Sequence, residues 1–221
     1  GVTWTSIGTS GGVNQIKTAI VIDGEVVFAG TSPRQGSAFL ASFDDGGATP
    51  TAYGVIDPVG NPSFAISRLV AFANRVFVFK NGEGVFVLTS GRRTLEQELF
   101  PELRGVELYS RGVTVWAGVM WVPTDAGLFA ITKDLAIYRV GPERNEARTV
   151  TSSRGIVLAL AGDSQNLYAV RCRRGSLETS GWLLKGVIRG APHEIVWHDF
   201  LQLSNPLSSF GATVVSPGGV G

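Results

Sequence analysis

Three arginines stand at one spacing. Arg68, Arg111 and Arg154 each follow a serine, and 43 residues separate each from the next. A guanidinium presents its N–H donors in a planar fork that matches a carboxylate, so three of them brought together would grip an anion. They are the candidate ligand-binding residues of the chain. The two histidines, His193 and His198 in HEIVWHDF, are five apart, whereas a helical zinc pair needs positions i and i+4 on one face. The surrounding VIRGAPHEIVWHDF reads as strand, where an odd offset sends two side chains to opposite faces. A surface pair on an outer strand is expected, with no metal. Cys172 is the single cysteine, so an intrachain disulfide and a thiolate cage are excluded, and no neighbouring histidine in the sequence is placed to activate it. Glu83 and Asp125 fall in KNGEG and TDAG and read as turn formers; Arg92, Arg93, Arg171, Arg173 and Arg174 read as solvated turn and loop positions. No catalytic residue emerges, and no cofactor is expected.

The elements that must position these residues are copies of one unit. Each Ser-Arg precedes an apolar run (RLVAFAN, RGVTVWAG, RGIVLALAG), and a second run follows each: Val76 to Phe79, Met120 to Val122, Leu167 to Val170. Tight turns are expected at Asp23-Gly24, Ala73-Asn74, Ala117-Gly118 and Gly162-Asp163, with a second strand after each that carries Phe28, Phe77, Trp121 or Tyr168. A third strand follows at Phe39 to Ala41, Val85 to Leu88, Leu128 to Ile131 and Trp182 to Leu184. Short runs rich in Val, Phe, Ile and Leu, punctuated by Gly, Asn and Asp, are strand-and-turn chemistry. Thr94 to Leu103 is the best helical candidate, and Pro101 limits it to one turn.

Composition agrees. The 221 residues include 29 glycines, a share nearly twice the usual value of roughly 7%. Apolar residues make up 44% and charged residues 17%, which describes a folded chain. A net charge of +1 with no basic stripe argues against nucleic acid. No apolar run reaches the length of a membrane-crossing helix, and GVTWTSIG lacks a signal-peptide pattern.

Three or four antiparallel strands in each period of about 43 to 51 residues resemble the blades of a β-propeller. The expected fold is therefore all-β, a propeller of four or more blades. Approximate blades are 16–65, 66–109, 110–152 and 153–207, flanked by partial strands 1–15 and 208–221, all within one domain or part of one. Both ends read as cut within a repeat. A four-bladed ring and a section of a larger propeller both fit, and the initial Gly suggests a processed product or a fragment.

Particular stretches extend the resemblance. FDDGGATP (43–50) is similar to the Asp-box of sialidase-like propellers, with Pro50 where the final aromatic stands; GVTW (1–4) and LTSGRRTL (88–95) look like weaker copies. In those families the Asp-box is a structural hairpin, so it implies architecture. MWVPTDAGLFAI (120–131) resembles the strand-turn-strand of propellers in bacterial sensor ectodomains. From Gly105 to Leu203 the blade pattern resembles propeller domains of phage tail-associated virion proteins.

These resemblances imply three readings. The leading one is a non-enzymatic structural or receptor-contact module of a virion, with other protein subunits and a surface glycan as partners and no membrane insertion. The second is the ligand-sensing propeller of an extracellular or periplasmic receptor. The third is a sialidase-like glycosidase fragment, in which Arg68, Arg111 and Arg154 would hold a carboxylate; no Tyr–Glu pair accompanies them. The simpler role for the arginines is pairing with carboxylates or loop carbonyls of the adjacent blade.

Overall fold

A computed structural model describes residues 15–32, 36–44, 54–56, 59–88, 95–142, 156–172 and 180–204. Among them sixteen strands form four sheets, each a four-stranded antiparallel meander in which sequence neighbours are spatial neighbours. The first sheet contains β1 (Gln15–Ile22), β2 (Glu25–Ser32), β3 (Gly36–Asp44) and β4 (Gly54–Ile56); the second β5 (Ile66–Phe72), β6 (Arg75–Lys80), β7 (Gly84–Leu88) and β8 (Leu95–Leu99). The third contains β9 (Thr114–Trp116), β10 (Val119–Thr124), β11 (Gly127–Ile131) and β12 (Ile137–Arg139); the fourth β13 (Ile156–Gly162), β14 (Leu167–Cys172), β15 (Ser180–Ile188) and β16 (Ile195–Ser204). The chain divides into two compact units, Gly1–Val106 and Glu107–Gly221, each holding two sheets.

Two-residue hairpins close the first three sheets because the turn residues accept positive φ. Asp23 and Gly24 (48° and 76°), Ala73 and Asn74 (49° and 58°), and Ala117 and Gly118 (51° and 73°) all lie in the left-handed region. Consecutive positive angles match the right-handed twist of the flanking strands. The fourth hairpin departs from the expected Gly162-Asp163 turn. There Gly162 is still paired, with Leu167, and the turn runs through Asp163, whose carboxylate accepts the amides of Gln165 and Asn166 at 2.7 and 2.6 Å.

Side chains alternate across each strand, so each sheet offers one face to its neighbour within the unit. In the first unit Ile22, Val27 and Ala29 pack with Val59, Ile66, Leu69, Val76, Val78, Phe86 and Leu88. In the second unit Val119, Trp121, Leu128 and Ala130 meet Val157, Leu167, Ala169, Leu184 and Ile195. Two indoles tie the latter sheets together: Trp116 Nε1 donates to the Asp163 carbonyl at 2.6 Å and Trp197 Nε1 to the Val140 carbonyl at 2.7 Å. The aromatic of each second strand is less regular than its sequence spacing suggests. Val27 packs toward the second sheet, so Phe28 projects from the opposite face. Phe77 sits on the face opposite the first sheet, Trp121 packs toward the fourth sheet, and Tyr168 lies opposite the face that meets the third.

The helical turn allowed in 94–103 resolves differently. Leu95–Leu99 is strand β8, and a 3₁₀ turn follows at Pro101–Leu103, where proline needs no amide partner.

Candidate binding surface and the arginine positions

The evenly spaced arginines do not occupy one structural position. Arg68 lies inside β5 and pairs with Phe79, immediately after a bulge at Ser67, whose hydroxyl donates to the Phe79 carbonyl at 3.0 Å. Arg111 is exposed and sits in a 3₁₀ turn, Ser110–Gly112, before β9 begins. Counted back from the hairpin-closing residues Phe72 and Trp116, Arg68 matches Gly112, and Arg111 matches Ser67. The motif is therefore one residue out of register between the second and third sheets. A side chain at Gly112 would strike the Leu158 carbonyl, so a glycine, not an arginine, is required there. Arg154 lies outside the described residues. Arg68 is half-buried, and burial holds its guanidinium below the usual arginine range.

The bulge itself is the better-conserved feature of the copies within this chain. It recurs in the inner strand at Lys17, Ser67 and Leu158, and the 3₁₀ turn at Ser110–Gly112 stands in its place in the third sheet. Bulges bend a strand and sharpen its twist.

One tightly built polar cluster was not legible as a site. Lys80 is fully buried at the end of β6; its Nζ donates to the carbonyls of Val59 (2.5 Å) and Asn61 (2.6 Å) and lies 2.6 Å from Glu83 Oε2. Glu83 Oε1 in turn accepts the Asn61 amide at 2.7 Å. Glu83 is thus more than a turn former: it fastens the β6–β7 turn to the segment entering the sheet. Asp125 does the same in the third sheet, where its carboxylate accepts the Glu107 amide at 3.1 Å and its amide donates to the Glu107 carbonyl at 3.0 Å. The available signal was a lysine closing the apolar run RVFVFK with a glutamate three residues later.

The histidines are not a pair on one strand. His193 lies in the turn before β16, and His198 lies in β16, exposed and opposite Lys185. The His193 ring stacks on Tyr138 of β12, with centroids 3.7 Å apart and planes within 7°. Two closed turns support the stack. In 132–136, Thr132 and Leu135 are bonded through main-chain contacts of 3.0 Å; in 189–194, Arg189 donates to Glu194 at 2.9 Å, Glu194 to Ala191 at 2.7 Å, and Ala191 to the Glu194 carboxylate at 3.1 Å. Asp134 sits beside His193; a hydrogen bond from Thr132, a backbone contact and the imidazole charge hold its carboxyl below the usual range. Tyr138 remains 39% exposed, so here a prearranged aromatic stack reaches solvent.

The remaining candidates are structural. Cys172 is buried, and burial raises its thiol. Arg171 lies over the Trp182 ring at 5.9 Å. The segment 120–131 forms the β10–β11 hairpin, with Thr124 Oγ1 donating to the Gly127 carbonyl at 2.8 Å and accepting the Ala126 amide at 3.0 Å. Phe43 and Asp44 end β3, and the rest of FDDGGATP, all of GVTW, and 89–94 of LTSGRRTL lie outside the described residues, as do Arg92, Arg93, Arg173 and Arg174. Among the described residues no three His, Cys, Asp or Glu side chains are grouped to hold a metal, and no helix is long and apolar enough to cross a membrane.

Four sequential antiparallel meanders, with an apolar layer between the two sheets of each unit, are the arrangement of propeller blades. The chain matches the extracellular domain of a putative hybrid two-component system, BT3049 from B. thetaiotaomicron, with a TM-score of 0.53 at 12% identity, over 90% of this chain and 23% of that one. It matches the N-terminal domain of Nup159 at 0.50 and 12% identity, over 84% and 47% of the two chains. The computationally designed Ika4 protein matches at 0.50 and 10% identity, over 76% and 93%. The fold is a β-propeller fold. This likeness extends to architecture alone, since no protein family and no curated protein matches the sequence.

Proposed function

We propose that this chain is a non-enzymatic binding and structural module, and that its setting is a tail-associated component of a virion, in contact with other protein subunits. The observation that carries the module reading is where its ordered polar groups go. Lys80, Glu83, Asp125, Thr124, Asp163, Trp116 and Trp197 all bond to backbone, fastening turns and neighbouring sheets. Such a scaffold holds loops rigidly for contact with a partner. The virion setting rests on the blade pattern between Gly105 and Leu203. A second reading, a ligand-sensing receptor propeller, is favoured by the β10–β11 hairpin, whose sequence resembles that of sensor ectodomains.

Antibodies raised against the chain and viewed by immunogold electron microscopy test the setting. Labelling of the tails of purified particles is expected. Labelling confined to cell envelopes would replace the virion setting with the receptor one.

A further inference from the structure

We infer that the Tyr138–His193 stack is a contact platform for a neutral pyranose glycan. The inference rests on the reading of the chain as a contact module and names the chemistry of one of its surfaces.

The platform is built by equivalent connections of adjacent sheets. Tyr138 follows the turn joining β11 to β12, and His193 lies in the turn joining β15 to β16; each turn is closed by its own hydrogen bonds. Both rings are therefore fixed before any ligand arrives, and face-to-face stacking at 3.7 Å removes the rotamer freedom that an exposed tyrosine ordinarily has. Binding to prearranged groups avoids the ordering cost that weakens most contacts with flexible surface side chains. Tyrosine also presents an apolar ring with a polar tip, so it can meet an apolar surface and a hydroxyl at once.

A pyranose has matching chemistry: a patch of axial C–H groups that lies on an aromatic ring, and a rim of hydroxyls that both donate and accept. Asp134, exposed and ionised beside His193, is an acceptor for such hydroxyl donors. Its negative charge disfavours a carboxylated or phosphorylated sugar, which selects for a neutral one. A packed core pair would be buried on all sides; Tyr138 is 39% exposed while already stacked.

Saturation-transfer difference NMR on the full 221-residue chain tests this with chitotriose, cellotriose and maltotriose as probes. At least one is expected to receive saturation on its ring C–H protons, with affinity reduced tenfold or more by Tyr138→Ala and within about threefold of the parent for Tyr138→Phe. Asp134→Asn, which leaves the stack in place, is expected to weaken binding by several-fold and so keeps the test open if Tyr138→Ala fails to fold. The inference is overturned if none of the three sugars receives saturation, if a folded Tyr138→Ala protein binds as the parent does, or if an unstructured peptide competes for the same ring while the sugars do not. Failure here combined with immunogold labelling of tails would remove the glycan platform and leave the virion module standing; sugar binding without tail labelling would keep the platform and the module and remove only the virion setting.

Discussion

Lys80 illustrates what one residue can determine in a fold of short strands. A lysine with no solvent exposure is stable only when its charge is matched and its three N–H donors are occupied, and Glu83 with the Val59 and Asn61 carbonyls meets that demand. Truncating it to alanine leaves Glu83 without its counter-charge and two carbonyls without a donor. Lys80→Ala is expected to cost about 3–5 kcal/mol, and Lys80→Met less, because methionine refills the volume while still orphaning the carbonyls. Urea denaturation of the two variants measures both values, and equal losses would show that the charge and its hydrogen bonds rather than packing dominate. Asp163 gives a pH-dependent counterpart at the surface. Its carboxylate accepts the Gln165 amide and then the Asn166 amide, which holds its pKa below the usual aspartate value. Because the folded pKa is depressed, the contribution to stability is complete above the unfolded pKa and is lost as pH falls through the folded one. The amide resonances of Gln165 and Asn166 should therefore titrate together in acid, with a midpoint below that of an ordinary aspartate. Midpoints at or above the ordinary value would show that the turn does not favour the ionised form.

At the scale of elements, the hairpins were legible and their registers were not. Asp23-Gly24, Ala73-Asn74 and Ala117-Gly118 announce positive-φ turns through residue type, and all three form. The bulges at Lys17, Ser67 and Leu158 leave no such mark, because any residue can occupy the extra position and the cause lies in packing against a neighbouring strand. Spacing along the chain places Phe28 in the same slot as Phe77, because it does not show which face a residue reaches. Two substitutions probe these elements from opposite directions. Ala117 holds φ at 51°, a region that a β-carbon disfavours and that asparagine tolerates better. Ala117→Asn, which makes the favoured Asn-Gly turn, is expected to stabilise by up to about 1 kcal/mol, read as a rise in Tm of several degrees. Gly162→Ala is expected to destabilise by about 1–3 kcal/mol, because a Cβ there runs into the Trp116 ring that ties the third sheet to the fourth. A Gly162→Ala protein as stable as the parent would mean that the indole can move aside without losing its bond to Asp163.

Across the whole molecule, the repeat that reveals the fold also misleads about the site. Copies of a blade share a period because each must bury the same kind of face, and that demand is visible in the apolar runs and turn residues. It fixes strands only approximately in length, so a dipeptide recurring every 43 residues drifts relative to hairpins whose closing residues, Phe72 and Trp116, follow a different count. The drift separates Arg68 from Arg111 by environment: one half-buried within β5, the other exposed in a 3₁₀ turn. A long side chain that is half-buried contributes through its alkyl stem as well as its charge, whereas an exposed one on a turn usually contributes little. Arg68→Ala is accordingly expected to lower stability by about 1 kcal/mol or more, and Arg111→Ala to change it by less than about 0.5 kcal/mol. Thermal unfolding of the two single variants and the double variant measures this, with the double expected to be close to the sum. Equal losses would restore a shared structural role, and a loss in the double variant larger than the sum would show that the two guanidinium groups act on a common partner.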